Sequence, residues 1–316
     1  MAGIGGGATL ALKGAGSIVN ASVYLYVTTA TLDISQTTSG ASISSLLNFS
    51  TGPVVALGSK ELTITSGSPI FFDGVIQDGG LGGGTGGRLR IASGARQGLA
   101  GVNTYTGATT IEGNALLYGN GSIAASSSVN LAAATAGFDI SNSTINPTVQ
   151  NMSGVAGSQI NRCVNTLTGV SSAATTCAGE ITGTGGLTKA GSGILTLEGN
   201  NTYTGATTIN GGTLALANGG QISTLSAVTV AGGATFDIGG NSLNNHIRTL
   251  AGAGTVQLGS NNLRIIDGST EFSGTINGTG GIAIDGGTLT LSGASPFSGM
   301  AGIGGGATLA LKGAGS

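Results

Sequence analysis

Apolar and small polar residues alternate along the chain in short stretches that glycine-rich turns separate. In residues 207–216, which read TTINGGTLAL, the segments 207–209 and 213–216 are rich in β-prone residues. Between them, Asn210, Gly211 and Gly212 tolerate positive φ angles. Alternation in the second segment places Leu214 and Leu216 on one face of a strand. The pattern therefore predicts short strands, each with one apolar face, joined by tight turns.

These patterns recur along the chain. The stretch NTYTGATTI occupies residues 103–111 and again 201–209, and a degenerate copy, SPFSGMAGI, occupies residues 295–303. A second motif recurs as TLDIS, GFDIS and TFDIG. The recurring positions, which we interpret as structural, are Tyr105, Tyr203 and Phe297 in the first motif and Asp33, Asp139 and Asp237 in the second. Recurrence argues for scaffold residues, because an active site needs one constellation rather than three.

The first seventeen residues return, letter for letter, at 300–316, which gives a super-repeat of 299 residues. Within it we predict three sub-repeats, 18–122, 123–221 and 222–316, with residues 1–17 as the end of a preceding repeat. We expect the chain to be a window on a tandem array. The alternative is a 30.1 kDa subunit that stacks end to end in a filament.

Strands this short cannot build a core alone, but stacking equivalent strands along an axis buries every apolar face. The sequence therefore predicts an all-β protein, a right-handed parallel β-helix that forms one continuous solenoid. Coils of about 20 residues would give about five coils per sub-repeat. A β-sandwich or propeller is the alternative, but blade signatures and aromatic core residues are missing. Glycine and β-branched residues disfavour helices in almost every window.

Composition narrows the function classes. The chain has 63 glycines, 7% charged residues, 4% aromatic residues and a mean hydropathy of +0.33, which is unlike a disordered polar chain. Its net charge is −2 and its ten basic residues are scattered, so we predict no nucleic-acid partner. No apolar run approaches the roughly 20 residues of a membrane-spanning helix. No signal peptide is visible, so we expect any export signal to lie outside these residues.

Residues 183–216, GTGGLTKAGSGILTLEGNNTYTGATTINGGTLAL, resemble the autotransporter-associated β-strand repeat of type V secreted passenger domains. Residues 84–117 are similar, although RLRIASGARQGLAG departs from the pattern, and residues 278–309 match less well. The resemblance implies a Gram-negative protein at the cell surface or in the extracellular space. It also implies export through an outer-membrane β-barrel translocator outside this segment. It implies no single activity, because the repeat is a scaffold.

We therefore predict a structural segment of an extracellular fibre or surface stalk, with end-to-end stacking, lateral self-association, no cofactor and no catalysis. The alternative is an adhesin or aggregation passenger that binds cell-surface or glycan ligands through inserted loops such as residues 164–176. An extracellular hydrolase is a third hypothesis. It would depend on His246, the sole histidine, but no GxSxG motif accompanies it. We predict a turn histidine in NSLNNHIR.

Cys163 and Cys177 are the only cysteines. Alignment of the sub-repeats places them where the sister copies have an isoleucine and a phenylalanine, with a longer segment between them. In an oxidising compartment we predict a disulfide that closes this segment. The alternative is two free buried thiols, and a metal site is less favoured, because two cysteines and a distant histidine do not make a zinc set.

Two further stretches have a structural and a functional interpretation. The segment GGLGGGTGG, residues 79–87, lacks the residues of a phosphate loop or a calcium repeat, so we predict a flexible or tightly turned loop. Tyr24 and Tyr26 share one face of a predicted strand. That face could stack on glycans or on another fibre, but an ordinary β surface or a ladder of tyrosines across coils is the simpler interpretation.

Overall fold

A computed structural model describes residues 1–66 and 70–313. The described residues form β-strands and turns without a helix. The strands are β1 (Ala2–Ile4), β2 (Thr9–Gly14), β3 (Val23–Leu25), β4 (Thr31–Thr37), β5 (Ala41–Ile43), β6 (Leu46–Asn48), β7 (Val54–Ala56), β8 (Glu61–Ile64), β9 (Ile70–Phe72), β10 (Val75–Gln77), β11 (Arg88–Ile91), β12 (Arg96–Leu99), β13 (Thr109–Ile111), β14 (Asn114–Gly119), β15 (Val129–Leu131), β16 (Gly137–Ser143), β17 (Thr148–Gln150), β18 (Ser153–Gly154), β19 (Gln159–Asn161), β20 (Leu167–Val170), β21 (Thr175–Cys177), β22 (Glu180–Thr182), β23 (Leu187–Ala190), β24 (Ile194–Leu197), β25 (Thr207–Ile209), β26 (Thr213–Leu216), β27 (Ala227–Val230), β28 (Thr235–Asp237), β29 (Asn245–Ile247), β30 (Thr249–Gly252), β31 (Thr255–Gln257), β32 (Leu263–Ile265), β33 (Thr270–Phe272), β34 (Thr275–Asn277), β35 (Ile282–Ile284), β36 (Thr288–Leu291), β37 (Ala301–Ile303) and β38 (Thr308–Leu311).

The chain divides into two compact units, Met1–Asn161 and Arg162–Ser316. In the first unit, parallel strands stack in the orders β1-β3-β6, β2-β4-β7-β10, β5-β8-β11-β13-β15-β18 and β9-β12-β14-β16-β19. In the second unit, the orders are β20-β23-β25-β27-β30-β33-β36-β38, β21-β24-β26-β28-β31-β34 and β29-β32-β35-β37. Strands adjacent in sequence belong to different stacks, so the chain winds as coils. The predicted parallel β-solenoid is confirmed, with about 15 turns.

One coil places a residue under its equivalent about 20 positions later, as Leu187 pairs with Thr207 and Leu195 with Leu214. The segments predicted as strands at 207–209 and 213–216 are β25 and β26, and Leu214 and Leu216 are both buried. Gly212, in the turn between them, has a φ of 60°. The sub-repeat boundaries stay a prediction, and residues 314–316 of the third sub-repeat lie outside the described residues.

The core is a set of aliphatic ladders that run from coil to coil. In the first unit one ladder occupies the inward positions of five consecutive coils, and all of its side chains are fully buried. Its members are Ile43, Ile64, Ile91, Ile111 and Leu131. Each residue sits directly on its neighbour, so burial is complete although every coil contributes only a few apolar side chains. Over the described residues, no helix is long and apolar enough to cross a membrane.

Candidate functional site

The repeated NTYTGATTI motif begins with an asparagine that joins three coils. Asn103 accepts a hydrogen bond from the Ile76 amide at 3.0 Å and donates to Gly101 O and Ser122 O, both at 3.0 Å. Asn201 makes the same set with Ile181 N, Gly199 O and Gln221 O, at 2.8–3.0 Å. Both asparagines are buried. One side chain thereby satisfies backbone groups in the coil before, its own coil and the coil after, so it fixes their spacing.

The tyrosine of the same motif starts a buried hydroxyl chain. Tyr203 Oη lies 2.7 Å from Thr207 Oγ1, which lies 2.7 Å from Ser226 Oγ, and Ser226 Oγ donates to Gly205 O at 2.8 Å. The first copy repeats this chain from Tyr105. Because both rings are fully buried, desolvation raises the pKa of the Tyr203 phenol to about 12 and raises the pKa of the Tyr105 phenol further. These hydroxyls are therefore neutral, internal and structural.

The degenerate third copy lacks this network. Phe297 stands where the other copies have tyrosine, is only half-buried and lies outside regular strands. Ser295 replaces the asparagine, and its buried hydroxyl has no hydrogen-bond partner among the described residues. Phe297 is therefore equivalent to Tyr105 and Tyr203 in sequence but makes none of their hydroxyl contacts.

The three recurring aspartates lie in strands of three different stacks, β4, β16 and β28. Asp139 accepts from Ser141 N at 2.9 Å and Asp237 from Gly239 N at 2.8 Å, so each caps its own turn. Asp33 makes the same local bond to Ser35 N at 2.8 Å, but it is almost fully buried and also accepts from Leu81 N at 2.6 Å. The structure thus keeps the three carboxylates in separate places, and only Asp33 binds a distant loop.

That loop is the glycine-rich segment 79–87. Asp33 anchors one side through Leu81 N, and Asp78 anchors the other by accepting from Gly86 N at 3.1 Å and Gly87 N at 2.8 Å. An internal bond from Gly79 N to Gly84 O closes the loop at 2.9 Å. Its amides therefore bind protein carboxylates, so the loop is a pinned turn rather than an anion-binding loop. The sequence alone did not point to Asp78.

Lys189 is a second residue that the sequence analysis missed. It points inward from β23 and is fully buried, in the place that Ile91 and Ile284 hold in the sister copies. Its Nζ donates to the carbonyl oxygens of Ala190, Gly191 and Gly211 at 2.8–3.0 Å. Desolvation lowers the pKa of this ammonium group. The lysine ties two successive glycine-rich turns together at the edge of the core.

Three segments of the chain, residues 99–113, 187–216 and 282–311, match the family model of the passenger-associated transport repeat. The second segment spans β23–β26 and contains Lys189, Asn201 and Tyr203. The chain carries autotransporter passenger repeats. No curated protein and no solved structure matches the chain at a significant level.

Passenger repeats on a β-solenoid support a surface passenger domain. The match to this repeat implies secretion to the surface of a Gram-negative cell or to the extracellular space. It also implies a linked outer-membrane translocator. The contacts above explain the repeat in physical terms, because the asparagine, the tyrosine and the lysine each bind backbone or side-chain groups of neighbouring coils.

The two cysteines lie in contrasting surroundings near the second passenger repeat. Both are free in the structure: Cys163 is exposed, with a φ of 44°, and Cys177 is buried at the end of β21. Burial raises the pKa of the Cys177 thiol to about 11. The predicted disulfide is not formed here and stays a prediction. Six of the thirteen residues between the cysteines lie in β20 and β21, so the segment contributes strands to the solenoid rather than forming one projecting loop.

The alignment that placed Cys163 at an inward isoleucine position was wrong by one residue. Arg162 is fully buried instead, and its guanidinium carbon lies 4.5 Å from the centre of the Tyr203 ring. Nη1 donates to Gly186 O, while Nε and Nη2 have no partner among the described residues. Desolvation lowers the pKa of Arg162 to about 10. A single-residue slip reverses the face, because side chains alternate along a strand.

His246 lies in β29, not in the predicted turn, and is half-buried. Its neighbour in register is Arg264, which forms an ion pair with Asp285 at 2.6 Å. Over residues 1–66 and 70–313, no group of three or more His, Cys, Asp or Glu residues is placed to hold a metal ion.

Proposed function

We propose that this chain is a non-catalytic structural segment of an extracellular fibre or surface stalk. The observation that carries the proposal is the Asn–Tyr–Thr–Ser network, which recurs with the same partners in two passenger repeats and is buried in both. Polar groups that recur and bind only neighbouring coils stabilise a stack. Because each parallel strand bonds the coils on either side, tension along the axis is shared by many backbone hydrogen bonds.

The seventeen-residue repeat supports end-to-end stacking. In the first copy, Ile4 and Leu12 are 4% and 7% exposed, because the coil that carries β3 and β4 covers them. In the second copy the same residues, Ile303 and Leu311, are 54% and 60% exposed. A coil with the sequence of residues 18–37 would therefore bury this surface in the register that β1 and β3 already use. We propose that such a coil, from a further repeat or another copy, stacks there.

Two measurements test the fibre. We expect the purified chain to form linear particles whose length grows with concentration in sedimentation and electron microscopy, and Leu311→Glu to keep it monomeric. Leu225→Glu, at an exposed leucine away from this surface, is the control. Chains that stay monomeric at all concentrations would contradict stacking between copies. The mass of the intact denatured native polypeptide then separates a covalent tandem array from 30.1 kDa subunits.

A further inference from the structure

The exposed aromatic side chains gather on one outer surface of the first unit. Aromatic residues make up only 4% of the chain, and most of the others are buried in the core. Four of those on this surface are 42–69% exposed, and Tyr24 is half-buried. The set, here named the aromatic face, is Tyr24, Tyr26, Phe49, Phe71 and Tyr118. Aromatic rings in water are costly unless they bind something, so this concentration needs a physical explanation.

Three rings form the first half of the aromatic face. The centroids of Tyr24 and Tyr26 are 6.2 Å apart, and Phe49 of the next coil lies 6.0 Å from Tyr24 and 5.3 Å from Tyr26. Their planes are parallel within 17°. Since no separation approaches the sum of the other two, the three rings form an offset-stacked triangle rather than a single column.

Phe71 and Tyr118 form the second half, with centroids 4.7 Å apart. Phe71 pairs in register with Gly98, and a Cβ atom on Gly98 would overlap the Phe71 ring. The ring therefore lies over the bare glycine backbone and leans towards Tyr118. Glycine at this position is what allows the phenylalanine to lie close against the strand.

A groove of about 400 Å³ lies between the two halves. Phe49, Phe71 and Tyr118 line it together with Ala100 and the polar pair Asn48 and Asp73. Asn48 Nδ2 donates to Asp73 Oδ1, and Asp73 N donates to Asn48 Oδ1. These bonds hold the carboxylate in place and leave Asp73 Oδ2 available as an acceptor within the described part of the chain.

The groove follows the solenoid axis. Asp73, Ala100 and Tyr118 follow Phe72, Leu99 and Leu117, which are in register on successive coils. Phe49 lies one coil earlier, because its neighbour Asn48 bonds Asp73. The backbone positions of two aromatic residues, Phe49 and Tyr118, thus stand at the two ends of a run of four coils, about 14 Å apart at the spacing of parallel strands. The positions between them are one carboxylate and one small residue.

We propose that this groove binds a neutral, extended polysaccharide. The apolar faces of sugar rings would stack on Phe49, Phe71 and Tyr118, and a sugar hydroxyl would donate to Asp73. The coil spacing is similar to the length of one sugar unit in an extended chain, so successive units meet successive coils. Asp73 is the charged side chain among the described lining residues, which disfavours polyanionic glycans and nucleic acids.

A ligand of this kind suits the groove better than a second copy of the chain does. The volume lies within the range of ligand sites, which are concave and apolar with a few placed polar groups. A stable protein interface needs about 800 Å² from each partner with a desolvated apolar centre. A carboxylate in the middle of the groove would then be buried without a countercharge.

The test is calorimetric titration of the intact chain with neutral β-linked hexasaccharides, namely cellohexaose, xylohexaose, mannohexaose and chitohexaose. We expect saturable binding of at least one. Phe49→Ala combined with Tyr118→Ala should weaken it at least tenfold, and Ala100→Phe should abolish it by filling the groove. Asp73→Asn should weaken it severalfold, since a neutral acceptor is weaker than a carboxylate. Leu225→Ala and Leu243→Ala, at exposed leucines of the other unit, should bind normally.

Phe49 and Tyr118 are 69% and 48% exposed, so we expect their alanine variants to keep the melting temperature of the parent chain. Three outcomes overturn the proposal. The first is no binding of any of the four sugars. The second is tighter binding of heparin or hyaluronan hexasaccharide. The third is a change in sedimentation without a change in sugar binding, which would assign the aromatic face to self-association.

Discussion

At the scale of single residues, equivalent positions in the repeat have diverged in what they contact. Asp33, Asp139 and Asp237 all cap local turns, but only Asp33 is buried beneath the glycine-rich segment 79–87. Lys189 likewise occupies a position where the sister copies have isoleucine. In both cases a charged side chain makes hydrogen bonds to backbone groups that would otherwise have no partner. Replacing that side chain should therefore lower the stability of the protein.

Replacing Asp33 with alanine should destabilise the protein by about 3 kcal/mol, because a buried carboxylate that accepts several hydrogen bonds is lost. The loop at 79–87 should become open to thermolysin, which cleaves before leucine and would cut at Leu81. Limited proteolysis and urea unfolding measure the two effects. Asp139→Ala removes the same local cap without a distant contact and should cost about 1 kcal/mol. Equal effects in the two variants would show that the loop contact contributes nothing.

Lys189→Ile gives this position the residue of its sister copies. We expect a loss of about 2 kcal/mol in urea unfolding, because the carbonyl oxygens of Ala190, Gly191 and Gly211 lose their donor. Lys13→Ile, at an exposed lysine, should change the stability by less than about 0.5 kcal/mol. A Lys189→Ile protein as stable as the parent would mean that relief of the buried charge offsets the lost hydrogen bonds.

At the scale of elements, the coil stack depends on positions where two backbones nearly touch. A Cβ atom on Gly185 would overlap Asn165 O, and a Cβ atom on Gly280 would overlap Asn261 O. These glycines are equivalent, because each lies two residues before a passenger-repeat segment, the second and the third. Each lies where one coil turns directly over the turn of the coil before it, so a side chain there would separate the coils.

Gly280→Ala should therefore destabilise the protein by about 3 kcal/mol, as expected for a clash with backbone that cannot move aside. Thermal unfolding followed by circular dichroism measures the change. Gly232→Ala is the matched control, because a Cβ atom there meets nothing within 4 Å and its φ lies outside the left-handed region. We expect the control to be neutral or slightly stabilising, since alanine reduces the freedom of the unfolded chain. Similar losses in both variants would contradict the close-approach argument.

At the scale of the whole molecule, buried acids with raised pKa values make the fold sensitive to alkali. Cys177, with a folded pKa of about 11, and Tyr203, with a folded pKa of about 12, ionise in the unfolded chain near 9.0 and 10.0. Their contribution to stability is therefore complete below pH 9 and is lost as the pH rises towards 12. The lowered pKa values of Arg162 and Lys189 act in the opposite direction over the alkaline range.

We expect the free energy of unfolding in urea to fall by a few kcal/mol between pH 8 and pH 11, since each unit of pKa difference is worth about 1.4 kcal/mol. Tyr203→Phe should lower stability at pH 8 by about 1 kcal/mol through the lost hydrogen bond to Thr207. It should also make the alkaline loss smaller, because one ionising group is gone. A Tyr203→Phe profile parallel to that of the parent would show that the phenol does not contribute.

The sequence by itself determined the fold class, because period-two alternation and repeated glycine turns leave stacking as the way to bury every apolar face. It also determined the strands at 207–209 and 213–216 and the repeat that the family model matches. The local sequence pattern was enough to predict these strands, because turn residues and alternation determine structure over only a few neighbouring residues.

Only the tertiary structure decided which residues meet across coils. Arg162 rather than Cys163 faces the core. A shift of one residue in the alignment of two coils exchanges the inward and outward side chains, and no local pattern sets that alignment. The binding of Leu81 by Asp33 and the aromatic face join residues that are separated by whole coils. The number of residues in each coil decides which side chains meet, and insertions change that number from coil to coil. The sequence therefore identified some of these residues but did not predict that they are in contact.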